Sequence, residues 1–342
     1  MTVKELLNRA TDMEVIEALI AASSHGHIKP AEWLLERKKN VDRNGENGYN
    51  ALYAASFQGH KDIAKLLIEK GADVNAQAGD YGNALYGASS EGHIDIVELL
   101  IEKGADVNAQ GGHYGNNALQ VASYKGHKDI TELLIEKGVD VNAQGGHYGN
   151  ALHAASSEGH KDIVELLIGK GADVNVQGGY YGNALQAASY KDHKDIAELL
   201  IEKGADVNAQ GGDYGNAIYA ALSKGHKNIA QLLIEKGADV NAQGGMYGNA
   251  LQAASYMGQK DIAELLIKEG ADVNGQGGMY GNALQAALFK GHKDIAELLV
   301  DKGAAVNAQR GHDCNTFQNA LSATEIEGHQ DILKMFLQGE VE

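Results

Sequence analysis

One cysteine, one proline, one tryptophan and four phenylalanines in 342 residues exclude several ways of building a protein. A lone Cys314 rules out an internal disulfide framework and suits a reducing compartment. Basic residues are also scarce: 29 Lys and Arg stand against 46 Asp and Glu, a net charge of −17. That balance argues against nucleic acid and anionic membrane as partners. Long apolar runs are missing, so no stretch approaches membrane-spanning length. The N-terminus, MTVKELLNRATDMEVIEALIAAS, reads as the start of an amphipathic helix rather than a signal peptide. With Arg37-Lys38-Lys39 the only short basic cluster, the expected location is cytoplasmic. No phosphate loop, nucleophile elbow or zinc motif is present, and neither a metal nor a cofactor is expected.

What the chain has in abundance is repetition. An Ala-Leu or Ala-Ile pair recurs at Ala18, Ala51, Ala84, Ala118, Ala151, Ala184, Ala217, Ala250, Ala283 and Ala320. The period is 33 residues, with one step of 34 and a last step of 37. A fixed period of this size means an array of small units.

One copy, Tyr181 to Asp213, shows what each unit does. Asn183 offers its side chain as a helix cap before the alanine-rich run Ala184 to Ser189. In most copies a glycine follows, as at Gly59, Gly92 and Gly159, to stop that helix in the left-handed region. A second helix carries Ile196, Ala197, Leu199, Leu200 and Ile201 at helical spacing and ends at Gly204. Ala205 to Gly212 then holds turn residues around a single valine expected to be buried, an extended finger with a tight turn. Such a unit cannot bury its apolar face alone, so copies must stack.

The A-L-x-A-A-S block, the Gly-His turn, the I-A-E-L-L-I helix and the G-A-D-V-N-A exit together resemble the ankyrin repeat, from about Ala18 to the C-terminus. The resemblance implies an all-α repeat protein, an ankyrin-type α-solenoid of about ten helix-turn-helix units with extended finger loops. One departure is systematic: Asn-Ala replaces the Thr-Pro that usually opens the first helix. The Gly-Asn-Ala-Leu-Gln variant with Gln-Gly-Gly fingers looks like arrays of filamentous fungi. The whole chain, 1–342, is expected to form one solenoid. Residues 1–50 would supply a capping helix over 1–17, with Leu6, Leu7, Val15 and Ile16, and a degenerate repeat holding Pro30 and Trp33. Core repeats would occupy 51–319 and a C-terminal capping repeat 320–342.

Irregularities stand out against the frame. An extra residue sits at Asn116-Asn117, Asp192 occupies a glycine slot, and Gln259 replaces the turn histidine. The last finger, Arg310 to Gln318, is longer than the rest. The histidine that recurs in the turn (His60, His93, His127 and onward) is expected to make a structural hydrogen bond within each unit.

In ankyrin-like stacks the finger tips and first helices face a concave groove, so the variable slots there are the candidate partner contacts. At the finger tip stand His113, His147, Tyr180, Asp213, Met246 and Met279; after the Ala-Leu pair stand Tyr53, Tyr86, Gln120, His153, Gln186, Tyr219, Gln252 and Gln285. Four residues further on stand Phe57, Ser90, Tyr124, Ser157, Tyr190, Ser223, Tyr256 and Phe289. A constant tyrosine row runs from Tyr81 to Tyr280. Fifteen tyrosines against four phenylalanines is a recognition bias, since tyrosine joins contact area to a polar end.

His113, His147 and His153 do not make a metal site by this reading. Equivalent residues in neighbouring units lie about 10 Å apart, too far to share one ion. Two functions remain. The leading one is a non-enzymatic recognition scaffold holding a protein or peptide in the groove. The alternative is a small-molecule enzyme, an isomerase or cyclase of fungal metabolism, using His147, His153, Tyr180 and Asp213 for proton transfer.

Overall fold

The computed structural model describes residues 10–36, 41–111 and 115–306. Leu6, Leu7, Arg37 to Lys39, His113, Cys314, the long last finger and the capping repeat from Ala320 lie outside them. The chain divides into two compact units, Met1–Asp173 and Val174–Glu342.

The first unit holds five helix pairs among its described residues. They are α1 (Asp12–Ser24) with α2 (Ile28–Leu35), α3 (Ala51–Phe57) with α4 (Lys61–Glu69), α5 (Ala84–Glu91) with α6 (Ile94–Glu102), α7 (Ala118–Lys125) with α8 (Lys128–Glu136), and α9 (Ala151–Glu158) with α10 (Lys161–Gly169). The second unit holds four: α11 (Ala184–Tyr190) with α12 (Lys194–Glu202), α13 (Ala217–Lys224) with α14 (Lys227–Glu235), α15 (Ala250–Tyr256) with α16 (Lys260–Lys268), and α17 (Ala283–Lys290) with α18 (Lys293–Asp301). Within each unit, first helices pack on first helices and second on second, in chain order. This is the expected repeat architecture.

Local chemistry sets the helix ends. Asn50, Asn83, Asn150 and Asn216 each accept from the backbone N–H three residues on, at 2.8 Å. Asn117 and Asn249 close full capping boxes with Gln120 and Gln252. Gly92, Gly126 and Gly159 stop their helices at φ near +83°. Asp192 takes the same conformation at φ +65°, the one non-glycine residue to do so among those described. Residues 15 and 16 belong to α1, which runs unbroken through Ala18; its cap is Thr11, so Val15 and Ile16 open the first pair's own helix.

The alanines let the first helices approach closely: Ala54, Ala55, Ala154, Ala155, Ala187, Ala188, Ala253 and Ala254 are all buried. Each second helix buries one stripe, such as Ile63, Ala64 and Leu67, and turns its charges outward. The fingers are tight antiparallel turns, bridged at Gly145–Gly149, Gly178–Gly182, Gly211–Gly215, Gly244–Gly248 and Gly277–Gly281. The extra asparagine is absorbed by a two-residue ladder pairing β1 (Gln110–Gly111) with β2 (Asn116–Asn117). The finger valine is buried at Val74 and Val240 but only half-buried at Val107, Val141 and Val207. The residue two before it, alanine as at Ala72 and Ala205 or valine at Val139, is the buried one.

Two polar ladders tie successive pairs together. The side-chain bond of the turn histidine leaves its own repeat: Nε2 of His60, His93, His127 and His160 faces the carbonyls of Ser24, Phe57, Ser90 and Tyr124, 3.0–3.1 Å away in the preceding repeat. Facing a carbonyl, that nitrogen must carry the proton. Gln259 donates its side-chain amide to the Leu222 carbonyl of the preceding repeat at 3.4 Å, one residue before the position the histidines use. The finger asparagine forms the second ladder. Asn75 donates to the Gly104 carbonyl and accepts from the Asp106 N–H, and Asn208 does the same with Gly237 and Asp239.

Candidate functional site

The slot after the Ala-Leu pair points inward, not outward. Gln120, Gln186, Gln252, Gln285 and Tyr219 are buried, His153 is 1 % exposed, Tyr53 is buried and Tyr86 half-buried. The physical reason is clear for the glutamines. The amide of Gln120 donates to the carbonyls of Ala143, Gly145 and Gly149, which form the next finger. Gln186 does so to Ala209, Gly211 and Gly215, and Gln252 to Gly275, Gly277 and Gly281. Three carbonyls around one amide hold a finger against the helix before it. Tyr219 serves the same end with its hydroxyl, which accepts from the Tyr247 N–H at 2.7 Å. Tyr86 bonds Asn116. Gln120, Gln186, Gln252 and Tyr219 thus make internal contacts in a row expected to face a partner.

The finger tips do lie at the surface. His147 and Asp213 are exposed, Tyr180 is half-buried, and Met246 and Met279 are 52 % and 46 % exposed. Adjacent tips are joined by backbone, Met279 N–H to Met246 carbonyl at 2.9 Å and Asp213 N–H to Tyr180 carbonyl at 3.3 Å.

Behind the tips run the tyrosines. In the first unit Tyr49, Tyr53, Phe57 and Tyr81 cluster with centroids 5.5–6.0 Å apart and line a cleft of about 200 Å³. Gly87 makes this possible, since a Cβ there would stand 2.9 Å from the Tyr53 ring. Further along, Tyr124 stacks on Tyr148 at 4.3 Å. In the second unit Tyr190 packs on Tyr214 at 4.4 Å and Tyr247 on Tyr256 at 4.5 Å. Tyr280 continues the stack, 4.9 Å from both Tyr256 and Phe289. A second cleft of about 200 Å³ opens between Tyr190, Asp213, Tyr219, Lys224 and Met246. Lys224 lies over the Tyr190 ring and Lys290 over Tyr256, at 4.8 and 4.6 Å from the centroids. Neither lysine figures among the sequence candidates; the signal was its place at the end of the first helix, after Ser223 for Lys224 and after Phe289 for Lys290.

Burial pushes up Tyr214 and Tyr247 of the second unit as it does the phenols of the first, and Tyr190 and Tyr256 depart from that rule. In the first, burial and the nearby Glu158 carboxylate push Tyr124 up, and burial with Tyr124 pushes Tyr148 up. In the second, burial acts upward on Tyr190, but hydrogen bonds from Lys224 and Tyr214 outweigh it and hold the phenol below its usual value. A hydrogen bond from Tyr280, with Lys290, lowers Tyr256 against the effect of burial.

His147 and His153 belong to the first unit and Tyr180 and Asp213 to the second. His153, sealed in the helix layer, has no surface to offer a substrate. Among the described residues no group of three His, Cys, Asp or Glu is placed to hold a metal ion. No described helix is long and apolar enough to cross a membrane.

Stacked helix pairs, latched by bonds one period apart and edged by finger turns, define a helical repeat protein. The family described as "Ankyrin repeats (3 copies)" matches overlapping segments 1–78, 76–145, 143–211, 185–277, 219–310 and 251–342. The chain belongs to the ankyrin-repeat family. No curated protein shows a match to it.

Proposed function

We propose that the protein is a non-enzymatic recognition scaffold that takes a protein or peptide segment on its finger and first-helix face. Family membership supports an interaction role. The observation that carries the reading is the division of labour between side chains. Buried Gln186 and Gln252 are occupied by the frame, whereas half-buried Tyr181, Tyr190, Tyr214 and Tyr256 and exposed Met246 and Met279 stand beside it. Tyrosine and methionine on a preformed surface give contact area at small ordering cost. The partner contacts are accordingly assigned to the finger tips and the tyrosine rows. We place the protein in the cytoplasm and, from its Gly-Asn-Ala-Leu-Gln pattern, among the fungal type of ankyrin array.

The test is selection of a displayed dodecapeptide library on the full chain, followed by binding to a Tyr190→Ala/Tyr256→Ala variant shown by circular dichroism to be folded. Enriched peptides that lose affinity for the variant support the scaffold. Failure to enrich any peptide would count decisively against it.

A further inference from the structure

We infer that the tyrosine face of the second unit binds an acidic, extended peptide segment, seating two of its carboxylates on Lys224 and Lys290. This rests on the peptide-scaffold reading and adds the chemistry of the partner.

The argument begins with charge. In a chain of net charge −17, exposed cations on one face are a departure from the background. Lys224 and Lys290 end α13 and α17, and both are exposed. Lysine near a helix C-terminus also complements the helix dipole. That alone does not account for the choice, because the equivalent position in the first unit holds Glu91 and Glu158, to which Ser90 and Ser157 donate, as well as Lys125. Where that position meets a tyrosine pair it is acidic in the first unit, Glu158 beside Tyr124 and Tyr148, and basic in the second, Lys224 over Tyr190 and Lys290 over Tyr256.

Next comes what each lysine touches. Lys224 is hydrogen-bonded to Tyr190 and Lys290 to Tyr256. A neutral phenol leaves the ammonium charge uncompensated, unlike a carboxylate. Each phenol also belongs to a hydroxyl chain: Tyr180 to Tyr214 at 2.7 Å, then Tyr214 to Tyr190; and Tyr247 and Tyr280 to Tyr256. An incoming carboxylate meets an ammonium with phenolic O–H groups close by, the donor set of a charge-assisted hydrogen-bond site. In the first unit the corresponding phenols, Tyr124 and Tyr148, lie beside the Glu158 carboxylate, which would repel the same ligand.

Spacing sets the ligand. Lys224 and Lys290 are two repeats apart, roughly 20 Å at 8–10 Å per helix layer. An extended peptide covers that distance in about six residues at about 3.3 Å each. Between the two anchors stands Met246, 52 % exposed, with an apolar side chain for the intervening residues.

The experiment measures affinities of library-enriched dodecapeptides for wild type, Lys224→Gln/Lys290→Gln and the charge-reversed Lys224→Glu/Lys290→Glu. Because both lysines are exposed, an unchanged thermal midpoint is expected and confirms that the variants are folded. The expected result is Asp or Glu pairs about five to seven positions apart. Affinity should fall about tenfold or more when either the lysines or the peptide acids are neutralised. The reversed variant should reject those peptides altogether. Enriched peptides without acidic pairs, or with equal affinity for the neutralised variant, overturn the acidic assignment while leaving the scaffold in place. No enrichment on wild type defeats both.

Discussion

The hydroxyl of Tyr219 accepts a 2.7 Å hydrogen bond from the backbone N–H of Tyr247, 28 residues later in the chain. Both groups are buried, and the Tyr219 ring runs under the Gly245 turn so tightly that a Cβ at Gly245 would overlap it. Tyr219→Phe keeps the ring and strands one buried N–H. The expected cost is about 1–3 kcal/mol in a chemical-denaturation midpoint series. Faster amide exchange at Tyr247 than in wild type should accompany it.

The same tyrosine carries a pH signature. Burial pushes Tyr219 up to about 12, with the Tyr247 N–H acting in the opposite direction. Its unfolded phenol titrates near 10. A raised folded value means stability that is complete below pH about 10 and is lost as pH rises toward about 12, of order 2 kcal/mol. Tyr190 and Tyr256, held below the usual phenol value, should ionise first, and their depressed values add stability as they do. Absorbance titration near 295 nm of wild type and Tyr190→Phe/Tyr256→Phe checks the order, since the variant should lose the earliest step.

Gln252→Glu replaces an amide donor by an oxygen facing the carbonyls of Gly275, Gly277 and Gly281. Ionised, it should destabilise the protein by about 3 kcal/mol or more. Protonation restores one donor, so the defect should shrink as the medium is acidified; a thermal midpoint measured at neutral pH and near pH 4 reads this out. An equal defect at both would mean that the three-carbonyl latch contributes little.

Asp192 holds a left-handed conformation at φ +65° where neighbouring repeats use glycine. Asp192→Gly should stabilise the protein by about 1 kcal/mol. It also removes a carboxylate 3.7 Å from His226 Nδ1, a contact whose loss offsets part of the gain. Urea midpoints of wild type and variant, measured side by side at neutral pH, check the gain.

How much of this was legible in the sequence depends on how far each interaction reaches. Asn50 as a cap and Gly92 as a stop act on their own helix, and their residue types announce it. His60 was legible as structural but not in its partner, because periodicity alone does not distinguish a bond within a repeat from one to the repeat before. The slot held by Gln120, His153 and Tyr219 misled for a physical reason. Variation among polar side chains looks like surface recognition, yet several chemistries can hold the next finger, three carbonyls for Gln120 and one N–H for Tyr219. Lys224 and Lys290 were hidden for the opposite reason: lysine at a helix end is ordinary until the phenol beneath it is seen.

The asparagine ladder bears on the length of the molecule. Asn208 reaches the Gly237 carbonyl 29 residues on and the Asp239 N–H 31 residues on, and Asn241 reaches Gly270 and Asp272 at the same offsets. Donor and acceptor recur in phase, so a chain cut by one period, Ala217 to Asn249, brings Asn208 opposite Gly270 and Asp272 with Asn216 still preceding Ala250. Every rung finds its counterpart whichever copy supplies it. Copy number is therefore a quantity the bonding pattern leaves free, and the reach of the molecule can change in steps of one repeat without new chemistry at the joint.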